Sequence, residues 1–147
     1  MNLYRDVVAG DIIVSDDFSM KLVDDAAFQV DPSGEDGNGS VDSFVDRFML
    51  QPTTFDNKQS YLRQLKHHMQ LVKMFQLVSG ASQGDITAME NAVSTYTRQI
   101  AWNFKNYEFF TSASGNPDGM VILKTYHDDG RTPYFTYWKH GLKAEQV

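Results

Sequence analysis

The chain has 147 residues, of which 41% are hydrophobic, 13% aromatic and 22% charged, a makeup that suits one globular domain spanning residues 1–147. With no cysteine, disulfides, thiolate zinc sites and a cysteine nucleophile are all excluded. The net charge of −6 divides into −8 over residues 1–54, +3 over 55–105 and −1 over 106–147, so no basic stripe of the kind that binds nucleic acid appears, and the middle third favours an acidic protein partner.

Residues 2–30 read as short strands. Val7-Val8, Ile12-Ile13-Val14 and Leu22-Val23 are β-favouring clusters, separated by turn formers at Ala9-Gly10-Asp11 and Ser15-Asp16-Asp17. Residues 31–42 form a Gly-rich acidic loop with too little apolar surface to order itself, so a flexible loop is expected there. Val41 to Met49 is expected to return as a strand, broken by Pro52-Thr53-Thr54.

Residues 55–79 read as a helix. Leu62, Leu65, Met69 and Val72 repeat at helical spacing along one face. Leu71, Met74, Phe75 and Val78 form a second stripe, turned by roughly 150° from the first. Two readings follow: a partner groove or self-association surface near the end of the helix, or burial against a neighbour. Asp85 is expected to cap a second helix over 86–104, in which Ile86, Met89, Val93, Tyr96, Ile100 and Phe104 share a face. The short connection makes the two helices an antiparallel hairpin.

From Tyr107 the pattern turns to strands: Tyr107–Thr111, Met120–Tyr126 and Thr132–Lys139. Asn116-Pro117-Asp118-Gly119 and the Asp129-Gly130 pair mark the corners between them. Strands, a helical hairpin and strands again give an α+β class.

The segment Asn103-Phe104-Lys105-Asn106-Tyr107-Glu108-Phe109-Phe110 is followed by Asn116-Pro117-Asp118-Gly119-Met120-Val121, Tyr126, Asp129-Gly130, Thr132-Pro133-Tyr134, Lys139 and Gly141-Leu142. Together with Tyr4-Arg5-Asp6, Asp11 and Ser15-Asp16, this resembles the translationally controlled tumour protein (TCTP) family over most of the chain. The resemblance implies a β-tent of mostly antiparallel strands with a protruding αα-hairpin and one flexible loop. It further implies a non-enzymatic, multi-partner protein of the cytoplasm, a monomer or weak homodimer acting in growth regulation. Implied partners are calcium, tubulin and microtubules, Rheb-type small GTPases and a translation elongation factor. Three departures stand out. The loop is short and lacks the family's Gly-Gly-Asn-x-Ser-type motif, Ile12 replaces the acid that follows Asp11, and the basic cluster of the hairpin thins to Lys66 and Lys73 beside His67-His68.

Calcium takes six to eight oxygen ligands, and Asp31, Glu35, Asp36 and Asp42 are the candidates. Their spacing is not that of an EF-hand: counted from Asp31, the sixth position is Asp36 rather than Gly, and the twelfth is Asp42 rather than Glu. The residues alone favour a solvated loop, and the resemblance adds calcium. Lys66, Lys73, Leu71, Met74, Phe75, Val78 and Asp11 are the candidate partner-binding residues. Adjacent His67 and His68 point about 100° apart on a helix and make no chelating pair. There is no Ser/His/Asp spacing, phosphate loop or Walker motif, so no catalytic residue and no required cofactor is expected. No leader peptide and no run of about 20 apolar residues appear, so no membrane contact is expected.

Overall fold

A computed structural model describes residues 1–34 and 36–147. Among the described residues, nine strands form two sheets. The smaller has the order β2-β1-β9, with β1 (Asn2–Asp6) between β2 (Ile12–Ser15) and β9 (Leu142–Gln146), all antiparallel. The larger runs β3-β4-β8-β7-β6-β5. It is built from β3 (Met20–Val23), β4 (Ala27–Val30), β8 (Pro133–Trp138), β7 (Ile122–Tyr126), β6 (Glu108–Thr111) and β5 (Gln51–Thr53). Every pairing is antiparallel, and β4 on β8 joins the N-terminal hairpin to the C-terminal one. Val7-Val8 lies in the turn between β1 and β2 rather than in a strand.

The segment after the acidic loop differs from the expected strand. Val41–Arg47 is a helix, α1. Ser40 and Ser43 cap it reciprocally, and Val41, Phe44, Val45 and Phe48 lie at i, i+3, i+4 and i+7, one buried face. Phe44 explains why helix wins: its ring stacks on Phe135 at 4.6 Å and meets Phe18 edge-on at 4.9 Å and Phe48 at 5.1 Å. A strand would set Phe44 and Phe48 about 13 Å apart along one face and turn Val41 and Val45 to the other, so the row could not close on one core. Helix α1 closes with Leu50 N–H on the Val45 carbonyl at 2.9 Å and Met49 N–H on the Asp46 carbonyl at 3.2 Å. That Schellman closure holds Met49 at φ 53°, in the left-handed region. Pro52 does not end a strand but sits within β5, at the open edge of the sheet where a missing N–H costs nothing.

The two long helices are α2 (Lys58–Val78) and α3 (Gln83–Trp102). Asn57 caps α2 with Ser60. Ser82 is the N-cap of α3, and Asp85 is its reciprocal partner three residues on, so helix 3 starts earlier than Asp85 as a cap implies. Between them, Ala81 N–H bonds the Gln76 carbonyl at 2.9 Å and Gly80 N–H the Leu77 carbonyl at 3.1 Å. Gly80, at φ 97°, makes this tight Schellman turn possible, and the helices fold back antiparallel. Phe104 falls just past α3, in a 3₁₀ turn over Phe104–Asn106.

Helix α2 buries Tyr61, Leu65, His68 and Val72 completely or nearly so. Leu62 and Met69, expected on the same face, are half-buried one step round the helix. Two neighbours rather than one account for this. Tyr61 packs on Phe55 and Phe109 of the tent, while Leu62 and Met69 turn toward α3. Helix α3 buries Ile86, Met89, Val93, Tyr96 and Ile100 as the sequence spacing requires, with Tyr96 edge-on to Trp138 at 5.6 Å.

Candidate docking surfaces

A groove of about 640 Å³ runs along the hairpin between α2 and α3. Its floor is apolar: Leu62, Leu65 and Met69 from α2, Met89, Val93 and Ala101 from α3. Its rim carries Lys66 and Lys73 on one wall and Arg98 and Glu90 on the other. Lys73 reaches Glu90 at 3.7 Å and so ties the helices loosely, while Lys66 and Arg98 have no carboxylate partner among the described residues. An apolar trough with a mostly cationic edge suits an amphipathic segment that carries acids.

The second stripe of α2 lies on the opposite side of the helix from the groove lining, toward the tip of the hairpin. Met74 is 61% and Val78 89% exposed, joined by Leu77 at 46%, whereas Leu71 and Phe75 are half-buried. The outer members of the stripe thus form an open apolar cap. At the other end of the hairpin Trp102 is also open to solvent.

Asp11 sits apart from the hairpin, at the start of β2. Its Oδ2 accepts bonds from Ser112 Oγ at 2.6 Å, Ser114 Oγ at 2.6 Å and Ser114 N–H at 3.1 Å. Burial pushes its carboxyl up, but the bonds from Ser112 and Ser114, with the nearby Arg5, outweigh that and hold it below the usual carboxylate range. One oxygen of Asp11 is thus committed to pinning the loop after β6 onto β2.

The described calcium candidates, Asp31, Asp36 and Asp42, each stand in a local setting of their own. Asp31 turns back onto Ser33, accepting from its N–H at 2.9 Å and its Oγ at 2.7 Å. Asp36 accepts from Asn38 N–H at 3.0 Å, and Asp42 stands in the first turn of α1. Glu35 lies outside the described residues. Among the described residues no cluster of three or more His, Asp or Glu side chains is placed to hold a metal ion. No described helix is long and apolar enough to cross a membrane.

The family model of translationally controlled tumour protein matches residues 29–143. The chain belongs to the TCTP family. It is 38% identical to TCTP homologues of Alternaria alternata and Gibberella zeae, with all of both chains covered in each case. A solved TCTP-type structure from Schizosaccharomyces pombe superposes with a TM-score of 0.83 at 32% identity, again over all of both chains. The TCTP structure from Caenorhabditis elegans, at 23% identity and a TM-score of 0.76, shares the fold. The α+β class with its helical hairpin is therefore the TCTP architecture.

Within that TCTP frame, the structure brings Lys66 and Lys73 together on one groove wall, leaves Met74 and Val78 exposed on another side of α2, and separates Asp11 from all of them. Sequence reasoning missed Arg98 and the apolar floor contributed by α3. Met89 and Val93 could be read as one helical face, but Arg98 falls about 140° round the helix from Val93, so only the tertiary arrangement places it at the rim of this groove. Two buried histidine nitrogens also went unseen. His68 lies on the buried row of α2, where its polar ring reads as a solvated residue in the sequence.

Proposed function

We propose that this chain is a non-enzymatic docking protein of the cytoplasm whose hairpin groove takes acidic, amphipathic segments of partner proteins, tubulin in microtubules first among them. The observation that supports this reading is the groove between α2 and α3: a Leu- and Met-lined floor edged by Lys66, Lys73 and Arg98, in a chain whose net charge is otherwise −6. A cationic edge on an acidic protein sets orientation and speeds encounter, and its effect is screened by salt. Methionines at Met69 and Met89 let the groove repack against several sequences.

Microtubule co-sedimentation tests it. The wild-type chain pellets with microtubules at low ionic strength and is released by added salt, and the pair Lys66→Glu with Lys73→Glu weakens binding by about tenfold or more, the scale of two lost charge pairs at an interface. An unchanged pellet on adding wild-type chain, or an equal affinity of the double variant, contradicts the reading.

Regulation of a Rheb-type GTPase or of a translation elongation factor is the alternative, centred on Asp11. It has less support, because Asp11 Oδ2 is already engaged by Ser112 and Ser114 and the next residue is Ile12. Acceleration of labelled-nucleotide release from such a GTPase by this chain would favour it. Calcium, as a weak ligand of the 31–42 segment, calls for movement of that loop, since Asp31 and Asp36 are turned onto their own backbone.

A further inference from the structure

Two histidines lie where α2 rests on the tent, and each has one ring nitrogen buried without a hydrogen-bond partner. His68 is 1% exposed. Its Nδ1 lies 2.9 Å from the Asp118 carbonyl, which only accepts, so Nδ1 carries the hydrogen. Nε2 is then a lone pair, and it is buried with no hydrogen-bond partner. The space beside it at Gly141 is tight, and the other side-chain atoms nearest that glycine are apolar. A Cβ built on Gly141 would stand 3.4 Å from His68 Nε2, 3.7 Å from Val72 Cγ2 and 2.6 Å from the Met120 methyl. His140 precedes that glycine in the 3₁₀ turn Lys139–Gly141, and its Nδ1 is likewise buried and unpartnered. The His140 carbonyl accepts from Gln76 Nε2 of α2 at 3.1 Å, so both histidines belong to one seam. Gln64 Nε2, bonded to the Gly119 carbonyl at 3.0 Å, and His67, 2.7 Å from Asp118, complete it.

We propose that His68 and His140 form an acid-sensitive latch that holds α2 on the tent while neutral and releases it when protonated. A proton added at His68 Nε2 has no acceptor in hydrogen-bond range, and the carbonyl of nearby Gly141 already takes Val7 N–H at 2.9 Å, so the cation must either stay unpaired in a buried site or break the seam. The charged groups around it do not rescue it. Asp6, from β1, spends both carboxylate oxygens on Val8 N–H and Met120 N–H. Asp118 gives its carboxylate to His67, the neighbour on α2 itself. Lys139, beside His140 on the 3₁₀ turn, is cationic, and Asp25 pairs with Lys139. Burial is the main reason that both histidines are held below their ordinary value. Asp118 and Asp6 oppose it at His68. At His140, Lys139 adds to it and Asp25 opposes it.

The sign follows from linkage. A histidine whose folded value is depressed contributes full stability above its unfolded value near 6.5, and that contribution is lost as pH falls below it. A histidine silent in the closed seam down to pH 5 raises the opening constant about 25-fold between pH 7 and pH 5. Acid thus loosens the root of the hairpin, a step independent of what the groove binds.

The test is amide hydrogen exchange with NMR titration of the histidine ring protons on the full chain. Protection of Tyr61–Val72 is expected to fall by about 25-fold or more on going from pH 7 to pH 5 relative to Ile122–Tyr126. His68→Asn keeps a donor for the Asp118 carbonyl and lacks the titrating nitrogen, so it is expected to remove about that factor from the fall. A His68 ring that titrates at 6.5 or above in the wild-type chain, or an equal acid loss in His68→Asn, overturns the latch. The wild-type ring titration decides the matter even where the variant fails to fold.

Discussion

Along α2 similar side chains meet opposite fates. At its root Tyr61, Leu65 and Val72 are at most 5% exposed, while at its tip Met74, Leu77 and Val78 stand open. Composition does not separate the two ends. Position along the helix does. The 21 residues of α2 span about 30 Å, and although Gln76 Nε2 still reaches the His140 carbonyl near its end, Met74, Leu77 and Val78 face solvent there. The root therefore carries stability and the tip is free to carry contacts, and mutations at the two ends should behave as if made in different proteins.

The largest effect is expected at the root. Tyr61→Ala removes a ring wedged among Phe55, Phe104 and Phe109 and costs about 3–5 kcal/mol. Urea denaturation reads this directly, and a loss under 1 kcal/mol would mean that the root is not a core. Asp11→Ala, at a seam without α2, is expected to cost about 1–2 kcal/mol through the bonds to Ser112 and Ser114. Its carboxyl is lowered in the fold, so this contribution is present above the unfolded value near 4 and lost as pH falls through the folded one. Stability curves of the variant and the wild type should therefore converge in strong acid. Met49→Gly relieves a left-handed backbone position and is expected to gain up to about 1 kcal/mol, seen as a raised midpoint. The smallest effect belongs to the tip: Met74→Asp with Val78→Asp should move the midpoint by no more than about 0.5 kcal/mol, because the open side chains lose no packing. A larger loss there would erase the distinction between root and tip.

What was legible in the sequence follows the same division between local and distant causes. The hairpin could be read because Ile86, Met89, Val93, Tyr96 and Ile100 declare one helical face by spacing alone. The corners at Asn116–Gly119 and Asp129-Gly130 could be read because turn chemistry is local, although Gly119 has a second duty: a Cβ there would lie 3.1 Å from both Ala9 Cβ and Asp6 Oδ2. Helix α1 was legible too, through Ser40, Ser43 and the row Val41, Phe44, Val45, Phe48. Its short length beside a polar loop let the β-branched residues suggest a strand instead. The partners of Asp11, 101 and 103 residues away, and the buried setting of His68 leave no local trace, so neither could be read. The basic excess of the middle third pointed to the hairpin, but only folding puts Arg98 of α3 across from Lys66 of α2.

The docking account is tested most directly by mapping backbone amide shifts of the labelled chain as tubulin is added at low salt. It predicts changes concentrated at Leu62–Lys73 and Met89–Arg98, fading as salt is raised. Shifts confined to the sheets around Asp11 and Ser112, with α2 and α3 silent, would contradict it.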